Sequence, residues 1–286
     1  MKKNIVIFSD GTGQKGGVGS NTNVYKLFNM IEDRTQRQIA FYDPGLGTDW
    51  RKVTGSIAGS GFSKNMLDCY RFLFENFEAE DDIFLFGFSR GAATVRSLTG
   101  FIHLFGILPK SRKDLIPQAY RIYKIKNRKL REKNAKAFIA KHHTMWAKVR
   151  FLGVFDTVAA LGLPIKWMSV LLDKLTPHKF HSFDLSNSVE FARQALAIDE
   201  ERKTFSPVLW DALGPGHPKD RMKQVWFCGV HTDVGGGYAE EDLSNISLRW
   251  MIRESVEKGL IIYEKSDAYK TLQASPVNPD GMMHNE

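Results

Sequence analysis

Short apolar runs alternate along the chain with longer segments in which apolar residues recur at helical spacing. The runs at residues 82–86 and 149–155 are almost continuously apolar, a pattern typical of strands that are buried on both faces. The predicted strands are 4–8, 38–42, 82–87, 149–155 and 223–230, and the predicted helices are 22–32, 62–77, 90–105, 187–197 and 243–258. Because strands and helices alternate, we expect an α/β fold with a mostly parallel, doubly wound sheet covered by helices on both faces.

Two insertions interrupt this alternation within what we expect to be one domain over residues 1–286. The first, at about 106–148, is basic and is predicted to be helical. The second, at about 157–187, contains a stretch at 161–175 whose large apolar side chains surround a short helix nearly completely. Such a surface either packs in the core or forms a lid over a binding site. The final residues, 275–286, are polar and contain two prolines, so we expect a loose tail.

A nucleophile elbow is predicted at Ser89. Gly87, Ser89 and Gly91 form a Gly-x-Ser-x-Gly pentapeptide that directly follows one predicted strand and opens the next predicted helix. A serine on such a sharp strand-to-helix turn exposes its hydroxyl, and the glycines allow the backbone to turn tightly without Cβ clashes. The pattern therefore indicates an activated serine rather than an ordinary turn.

Asp156 and His231 complete a candidate catalytic triad with Ser89. Each follows the carboxyl end of a predicted strand, and at that edge of an open α/β sheet the loops carry chemistry. The order Ser, Asp, His along the chain is that of α/β hydrolases. Asp156 could instead cap the turn that opens at Thr157, and His231 could instead bond locally to Thr232 or Asp233. Asp233 also competes with Asp156 for the role of the acid.

The glycine-rich segment after the first strand matches a dinucleotide-binding consensus without its context. Residues 11–16 read Gly-Thr-Gly-Gln-Lys-Gly, but no helix is predicted to start at the third glycine. The acidic residues about 20 positions on, Glu32 and Asp33, end a predicted helix and not a strand, which argues against nucleotide binding. We expect Gly11 and Thr12 to form an oxyanion loop, supplying one backbone N–H beside that of Arg90, the residue after the nucleophile. Asp10 is predicted to brace this loop, and a metal-ligand role for Asp10 stays open.

These motifs fall within six sequence blocks that are similar to a known family. The blocks lie at 8–13 with 21–23, at 42–48, at 87–92, at 154–158, at 197–202 and at 229–238. In order and content they resemble the α/β-hydrolase domain of the Tle1-like phospholipase effectors of type VI secretion (DUF2235). The resemblance implies an α/β-hydrolase-like fold, lipid-ester hydrolysis, and the roles of nucleophile for Ser89, orienting acid for Asp156 and base for His231. The larger effectors carry additional membrane-contacting sequence, which we do not expect within these 286 residues.

The positive charge of the chain is concentrated in the first insertion. Residues 110–148 hold thirteen basic and two acidic side chains, a net +11, so the rest of the chain carries −3 of the total +8. The segment is either a solvated helical surface or a cap that attracts an anionic substrate such as a phospholipid surface, where each Lys or Arg contributes about 1 kcal/mol. Its aromatic residues are spaced as helix-packing residues, so we expect no nucleic-acid partner.

Composition predicts neither a membrane span nor a signal peptide. No stretch approaches the ~18 consecutive apolar residues that a membrane-spanning helix needs, and the apolar run at 5–8 is too short for a signal sequence. Cys69 and Cys228 both lie in apolar patterns and are interpreted as small core residues, which favours a reducing compartment. We therefore expect a protein that is cytoplasmic as synthesised, while the family resemblance leaves export by a type VI system open.

Acyl transfer to Ser89 is the function that these residues predict. His231 would remove the hydroxyl proton, Asp156 would hold the imidazole, and water would hydrolyse the acyl-enzyme without a cofactor or a metal. The expected substrate is a lipid or phospholipid acyl ester. Two alternatives stay open: an esterase or thioesterase for soluble substrates, and a non-enzymic module that binds an anionic surface or a partner on a hydrolase scaffold. The oligomeric state is not predicted.

Overall fold

One parallel sheet of six strands forms the centre of the molecule. The computed structural model describes residues 2–11, 16–17, 19–33, 35–45, 56–158 and 185–285. The strands are β1 (Asn4–Ser9), β2 (Gln38–Asp43), β3 (Asp82–Phe88), β4 (Val149–Phe155), β5 (Val189–Ala197) and β6 (Met222–Phe227). Their order in the sheet is β2-β1-β3-β4-β5-β6, and every neighbouring pair is parallel. This confirms the predicted α/β-hydrolase-like, doubly wound sheet.

Helices cover both faces of this sheet. In the described parts of the chain they are α1 (Asn23–Phe28), α2 (Ser56–Asn76), α3 (Arg90–Phe105), α4 (Leu115–Tyr123), α5 (Arg128–His142), α6 (His231–Gly235), α7 (Asp242–Val256) and α8 (Asp267–Ala274). Successive strand residues point to opposite faces: Ile5 and Leu85 pack with α2 to α5, whereas Phe8 and Phe86 pack with α1, α6, α7 and α8. Because both faces are buried, the inner strand β3 is apolar from Ile83 to Phe88.

The predicted helix at 187–197 is wrong, because this segment forms β5 between β4 and β6. Its sequence is rich in Ala, Leu, Gln and Arg, which have high helix propensity. Pairing on both edges and packing on both faces override that propensity. Ala192 and Ala195 face the two opposite cores. Arg193, between them, is fully buried and forms ion pairs with Glu254 (2.5 Å) and Asp220 (2.7 Å).

The basic insertion forms a helical hairpin beside α3. The Tyr123 hydroxyl of α4 donates to the Ser97 carbonyl of α3 (2.9 Å). The Phe138 ring of α5 contacts the Phe105 ring at the end of α3, with 5.7 Å between ring centroids. These contacts involve the middle and last turns of α3. The hairpin therefore lies alongside α3 rather than over its first turn, which Ser89 precedes.

The segment at 275–285 packs on the body of the protein, so the expectation of a loose tail is wrong. The Arg249 guanidinium of α7 donates to the Ser275 carbonyl (2.7 Å). The Asn278 side-chain amide donates to the Asp242 carboxylate at the first residue of α7 (2.9 Å). The polar composition predicts a solvated chain end, but these polar groups form hydrogen bonds with α7.

Three further expectations concern the lid candidate, the two cysteines and membrane-spanning helices. The lid candidate at 157–187 lies mostly outside the described residues, which stop at 158 and resume at 185. Cys69 is buried as predicted, whereas Cys228 is exposed, because it directly follows the edge strand β6. Within the described ranges, no helix is both long enough and apolar enough to cross a membrane.

Candidate active site

Ser89 stands on a strained turn between β3 and α3. Its φ of 57° and ψ of −121° lie in a region that non-glycine residues avoid. A Cβ on Gly91 would lie 2.0 Å from the carbonyl oxygen of Ser9. A Cβ on Gly87 would lie 2.7 Å from the backbone of Ala92. Both positions therefore require glycine, and the backbone has the form of a nucleophile elbow at the carboxyl edge of the sheet.

Asp156 and His231 are in direct contact at the same edge. The Asp156 Oδ2 atom lies 2.6 Å from His231 Nδ1, and both side chains are buried. The other Asp156 oxygen accepts the backbone N–H of Ala197 (3.1 Å). Because a carboxylate only accepts, Nδ1 carries the proton and Nε2 holds the lone pair. His231 Nε2 is buried and has no hydrogen-bond partner among the described residues, so the structure forms no hydrogen bond between this atom and Ser89. Its lone pair is in the form that a general base needs.

Two phenylalanine rings hold the imidazole of His231. The Phe88 ring stacks on it with 4.6 Å between centroids, and the Phe205 ring meets it edge-on at 5.0 Å. Phe88 directly precedes Ser89, so the elbow and the histidine share one packing contact. A Cβ on Gly235 would lie 2.0 Å from the Phe88 ring, which shows how closely α6 approaches it. Sequence reasoning identified neither phenylalanine as part of the site.

Carboxylates from the loop after β5 hold the backbone around His231. Glu200 accepts the His231 N–H (3.2 Å), and Asp199 accepts the Gly229 N–H (2.7 Å). Burial alone raises the pKa of Glu200, but the Arg202 side chain and the backbone N–H groups of Arg202 and His231 outweigh burial and lower the pKa. The block at 197–202 marked this loop in the sequence, but no local pattern indicated its contact with the residues of α6.

Asp233 bonds away from the His231 ring. Its Oδ2 accepts the Val230 N–H (3.1 Å), and its Oδ1 lies 2.7 Å from Nδ1 of His284. Asp233 therefore caps the start of α6 and pairs with the segment at 275–285. The carboxylate that contacts the His231 ring is Asp156.

Asp10 ties together the loop at the end of β1. Its carboxylate accepts the Gly11 N–H (2.7 Å), the Thr22 hydroxyl (2.6 Å) and the Tyr42 hydroxyl (2.7 Å). Burial raises the pKa of Asp10 from 3.8 to about 6, although these three hydrogen bonds oppose the rise. The Gly11 N–H is thus engaged and does not point to a free oxyanion site, because a short Asp side chain readily captures the adjacent backbone N–H. Thr12 lies outside the described residues.

Arg90 begins α3, directly after Ser89. Its backbone N–H donates no hydrogen bond to any part of the chain that the structure describes, as is usual for the first N–H groups of a helix. In a nucleophile elbow, the N–H at this position is the expected first donor to the oxyanion. That role for Arg90 stays a prediction.

Comparison with known proteins identifies a matching family model. The model of the catalytic domain of Tle1-like phospholipase effectors of the type VI secretion system matches residues 3–254. The uncharacterized protein YEL023C of Saccharomyces cerevisiae is 29% identical over 97% of this chain, and the match covers 42% of the yeast protein.

Two solved structures resemble the molecule at low sequence identity. An uncharacterized protein from Pseudomonas aeruginosa has a TM-score of 0.54 and 17% identity, over 94% of this chain and 48% of that one. The Tle1 effector bound to the VgrG spike of the type VI secretion system has a TM-score of 0.48 and 19% identity, over 84% of this chain and 52% of that one. The chain spans about half the length of these relatives. The Pseudomonas likeness supports the fold alone.

Proposed function

The chain belongs to the family of Tle1-like catalytic domains of type VI secretion phospholipase effectors, and from this premise we propose that it is a serine hydrolase of carboxylic esters. Its proposed substrates are acyl esters of lipids or phospholipids. The observation that supports the proposal most strongly is the pairing of Asp156 with His231 Nδ1 at 2.6 Å, which leaves Nε2 buried and without a partner in the described structure. A strained serine elbow at Ser89 stands at the same sheet edge.

The proposed reaction passes through an acyl-enzyme on Ser89. His231 Nε2 takes the proton of the Ser89 hydroxyl as the oxygen attacks the ester carbonyl, and Asp156 stabilises the resulting imidazolium. Collapse of the tetrahedral intermediate breaks the ester C–O bond, and the proton on His231 passes to the leaving alcohol. Water then repeats the sequence on the acyl-enzyme, which releases the acid and restores Ser89.

The oxyanion of the tetrahedral intermediate would be held by two backbone N–H groups. Arg90 N–H is the proposed first donor, and the loop at Gly11 and Thr12 is the proposed source of the second. Since the Gly11 N–H donates to Asp10 at 2.7 Å, Gly11 can serve only after it exchanges this partner for the substrate oxygen. We therefore propose that Asp10 acts as a brace that holds the loop until substrate arrives.

Labelling with a fluorophosphonate tests the serine mechanism directly. The reagent reacts with an activated serine, and it should label the wild-type protein stoichiometrically. Ser89→Ala should remove both labelling and ester hydrolysis while the fold is retained. Ser97→Ala, a serine two turns further along α3, is the matched control and should behave as the wild type. Hydrolysis by a folded Ser89→Ala protein at the wild-type rate would exclude this mechanism and favour a non-enzymic role.

An anionic lipid surface is the proposed location of the substrate. The helix α5 exposes a row of lysines, and each can contribute about 1 kcal/mol near anionic lipid. Because the hairpin lies alongside α3, its lysines would hold the protein at the surface and would not cover Ser89. Soluble esters would need only the catalytic residues and would be hydrolysed regardless of these charges.

Vesicle binding separates a membrane substrate from a soluble one. The test variant carries three Lys→Gln changes on α5, at Lys129, Lys133 and Lys136. A control variant carries the same change at three exposed lysines elsewhere, Lys219, Lys265 and Lys270. The α5 variant should lose binding to phosphatidylglycerol vesicles and turnover on them, while a short-chain ester is hydrolysed as before and added salt weakens wild-type binding. Equal loss of vesicle binding in both variants would show that net charge, and not the α5 surface, causes the binding. Soluble esters would then be the favoured substrates.

A further inference from the structure

The segment at 275–285 contacts the helix that carries His231 through His284. His284 gives two bonds to the Asp233 carboxylate: its backbone N–H donates to Oδ2 (3.1 Å), and its Nδ1 lies 2.7 Å from Oδ1. Asp233 is buried, and besides these bonds it accepts the N–H of Val230. A buried carboxylate needs donors on both oxygens. His284 is therefore the main external partner of Asp233.

The helix α6 depends on such external contacts. It spans five residues, about one turn, and a single helical turn has little stability of its own. Glycines at positive φ flank it, Gly229 at 101° on one side and Gly236 at 77° on the other, so the backbone at both ends is permissive. The position of His231, the first residue of α6, is thus set by the groups that hold this turn, and Asp233 is one of them.

His284 is itself held in place. Its ring stacks on the Tyr238 ring with 3.7 Å between centroids and 22° between the planes. Its Nε2 lies 3.4 Å from the Glu240 carboxylate. The bond from Asn278 to Asp242 anchors the chain six residues earlier. These contacts make the link from His284 to Asp233 a built feature of the fold and not a chance contact of a chain end.

We propose that His284 is a positioning residue for catalysis, which holds α6 through Asp233 and thereby keeps the His231 imidazole aligned with Ser89. This inference rests on the proposed hydrolase function. His284 contacts no reacting atom. Loss of the imidazole leaves Asp233 Oδ1 without its His284 donor, while Oδ2 keeps the backbone N–H groups of Val230 and residue 284. The half-satisfied buried carboxylate then turns towards water and takes the first turn of α6 with it. The consequence falls on the rate of the chemical step and not on substrate binding.

Three variants test this role. His284→Leu removes the side-chain donor, His284→Asn keeps a donor near the place of Nδ1, and Met283→Ala changes the exposed neighbour as a control. For His284→Leu we expect kcat on a short-chain ester to fall by about tenfold or more with KM unchanged, since misplacement by about 1 Å can cost a hundredfold in rate. His284→Asn should recover most of the rate, and Met283→Ala should match the wild type.

Amide hydrogen exchange gives a readout that does not depend on activity. In His284→Leu the N–H groups of residues 230–235 should exchange faster, while those of β3 and β4 stay protected. Unchanged kcat and unchanged exchange in His284→Leu would overturn the proposal, as would equal losses in His284→Asn and His284→Leu. If the wild-type protein hydrolyses no ester at all, the proposed function fails, and the exchange experiment alone decides whether His284 holds α6.

Discussion

Replacement of Gly235 by alanine tests whether the packing of Phe88 fixes the catalytic geometry. Gly235 is the last residue of α6 and faces the Phe88 ring. The same ring stacks on His231, the base of the proposed mechanism. A methyl group at this position would lie 2.0, 2.3 and 2.4 Å from three carbons of that ring. Phe88 is 3% exposed, so the ring cannot swing into solvent. The methyl group must therefore displace either the ring or the helix.

The size of the displacement follows from contact distances. Carbon atoms pack at about 3.5–4.0 Å, so the ring and the helix must separate by roughly 1.5 Å. Overpacking of this kind costs about 1–3 kcal/mol of stability, which a folded domain tolerates. Because the imidazole of His231 stacks on the displaced ring, its Nε2 moves relative to Ser89. A shift of the order of 1 Å in a catalytic group lowers the rate by about a hundredfold, and that loss is expected in kcat.

The assay compares Gly235→Ala with Gly214→Ala. A methyl group on Gly214 meets no atom of the described residues within 4 Å, so this control should keep both activity and stability. Hydrolysis of a short-chain ester gives kcat and KM, fluorophosphonate labelling gives the reactivity of Ser89, and thermal unfolding confirms that each variant is folded. A folded Gly235→Ala protein with wild-type kcat would refute the idea that the Phe88 contact positions His231.

Three further predictions concern charged groups. Asp156→Asn should lower kcat by orders of magnitude in a folded protein by favouring the wrong tautomer of the histidine. Wild-type kcat in a folded Asp156→Asn protein would show that Asp156 is not the acid. Burial raises the pKa of Asp10 from 3.8 to about 6 in the folded state, so the folded state binds this proton more tightly than the unfolded state. The free energy of unfolding should therefore decrease as pH rises from 3.8 to about 6 and level off above that range. Denaturant unfolding of Asp10→Asn at several pH values should lack this contribution to the pH dependence. Arg193→Met should lower the free energy of unfolding, measured with denaturant, by about 3–5 kcal/mol, because Glu254 loses a buried partner. Adding Glu254→Met should recover part of this loss. An Arg193→Met protein as stable as the wild type would contradict this reasoning.

The parts of the fold that were predictable are those with a dense local signal. The strand at Val149–Phe155 and the helix at Arg90–Phe105 have the predicted bounds, because a continuous apolar run and a glycine-bounded elbow leave few alternatives. The strand β5 was not predictable from its own residues. Its conformation is decided by hydrogen bonds to β4 and β6, which are distant in sequence, and its alanines and arginine favour a helix in isolation.

The candidate site also contains both contacts that the sequence predicts and contacts that it does not. The contact between Asp156 and His231 follows from two strand ends that meet at one edge of a parallel sheet. The contacts of Glu200 and His284 link distant loops, and no spacing rule reports them. The engagement of the Gly11 N–H is local, but it depends on how deeply Asp10 is buried, and burial is set by the whole fold.

The backbone of Ser89 has a consequence for the history of the family. A serine at φ 57° costs about 1–3 kcal/mol relative to a residue without strain, and glycine at the same position would not incur it. Selection for stability alone therefore opposes the serine, and under the proposed function selection for its hydroxyl retains it. In a lineage that no longer needs hydrolysis, residue 89 should drift towards glycine early, before the glycines and core residues around it change. Relatives with glycine there and an intact sheet would be recent pseudoenzymes, recognisable from sequence and expected to unfold at a higher temperature than their active ancestors.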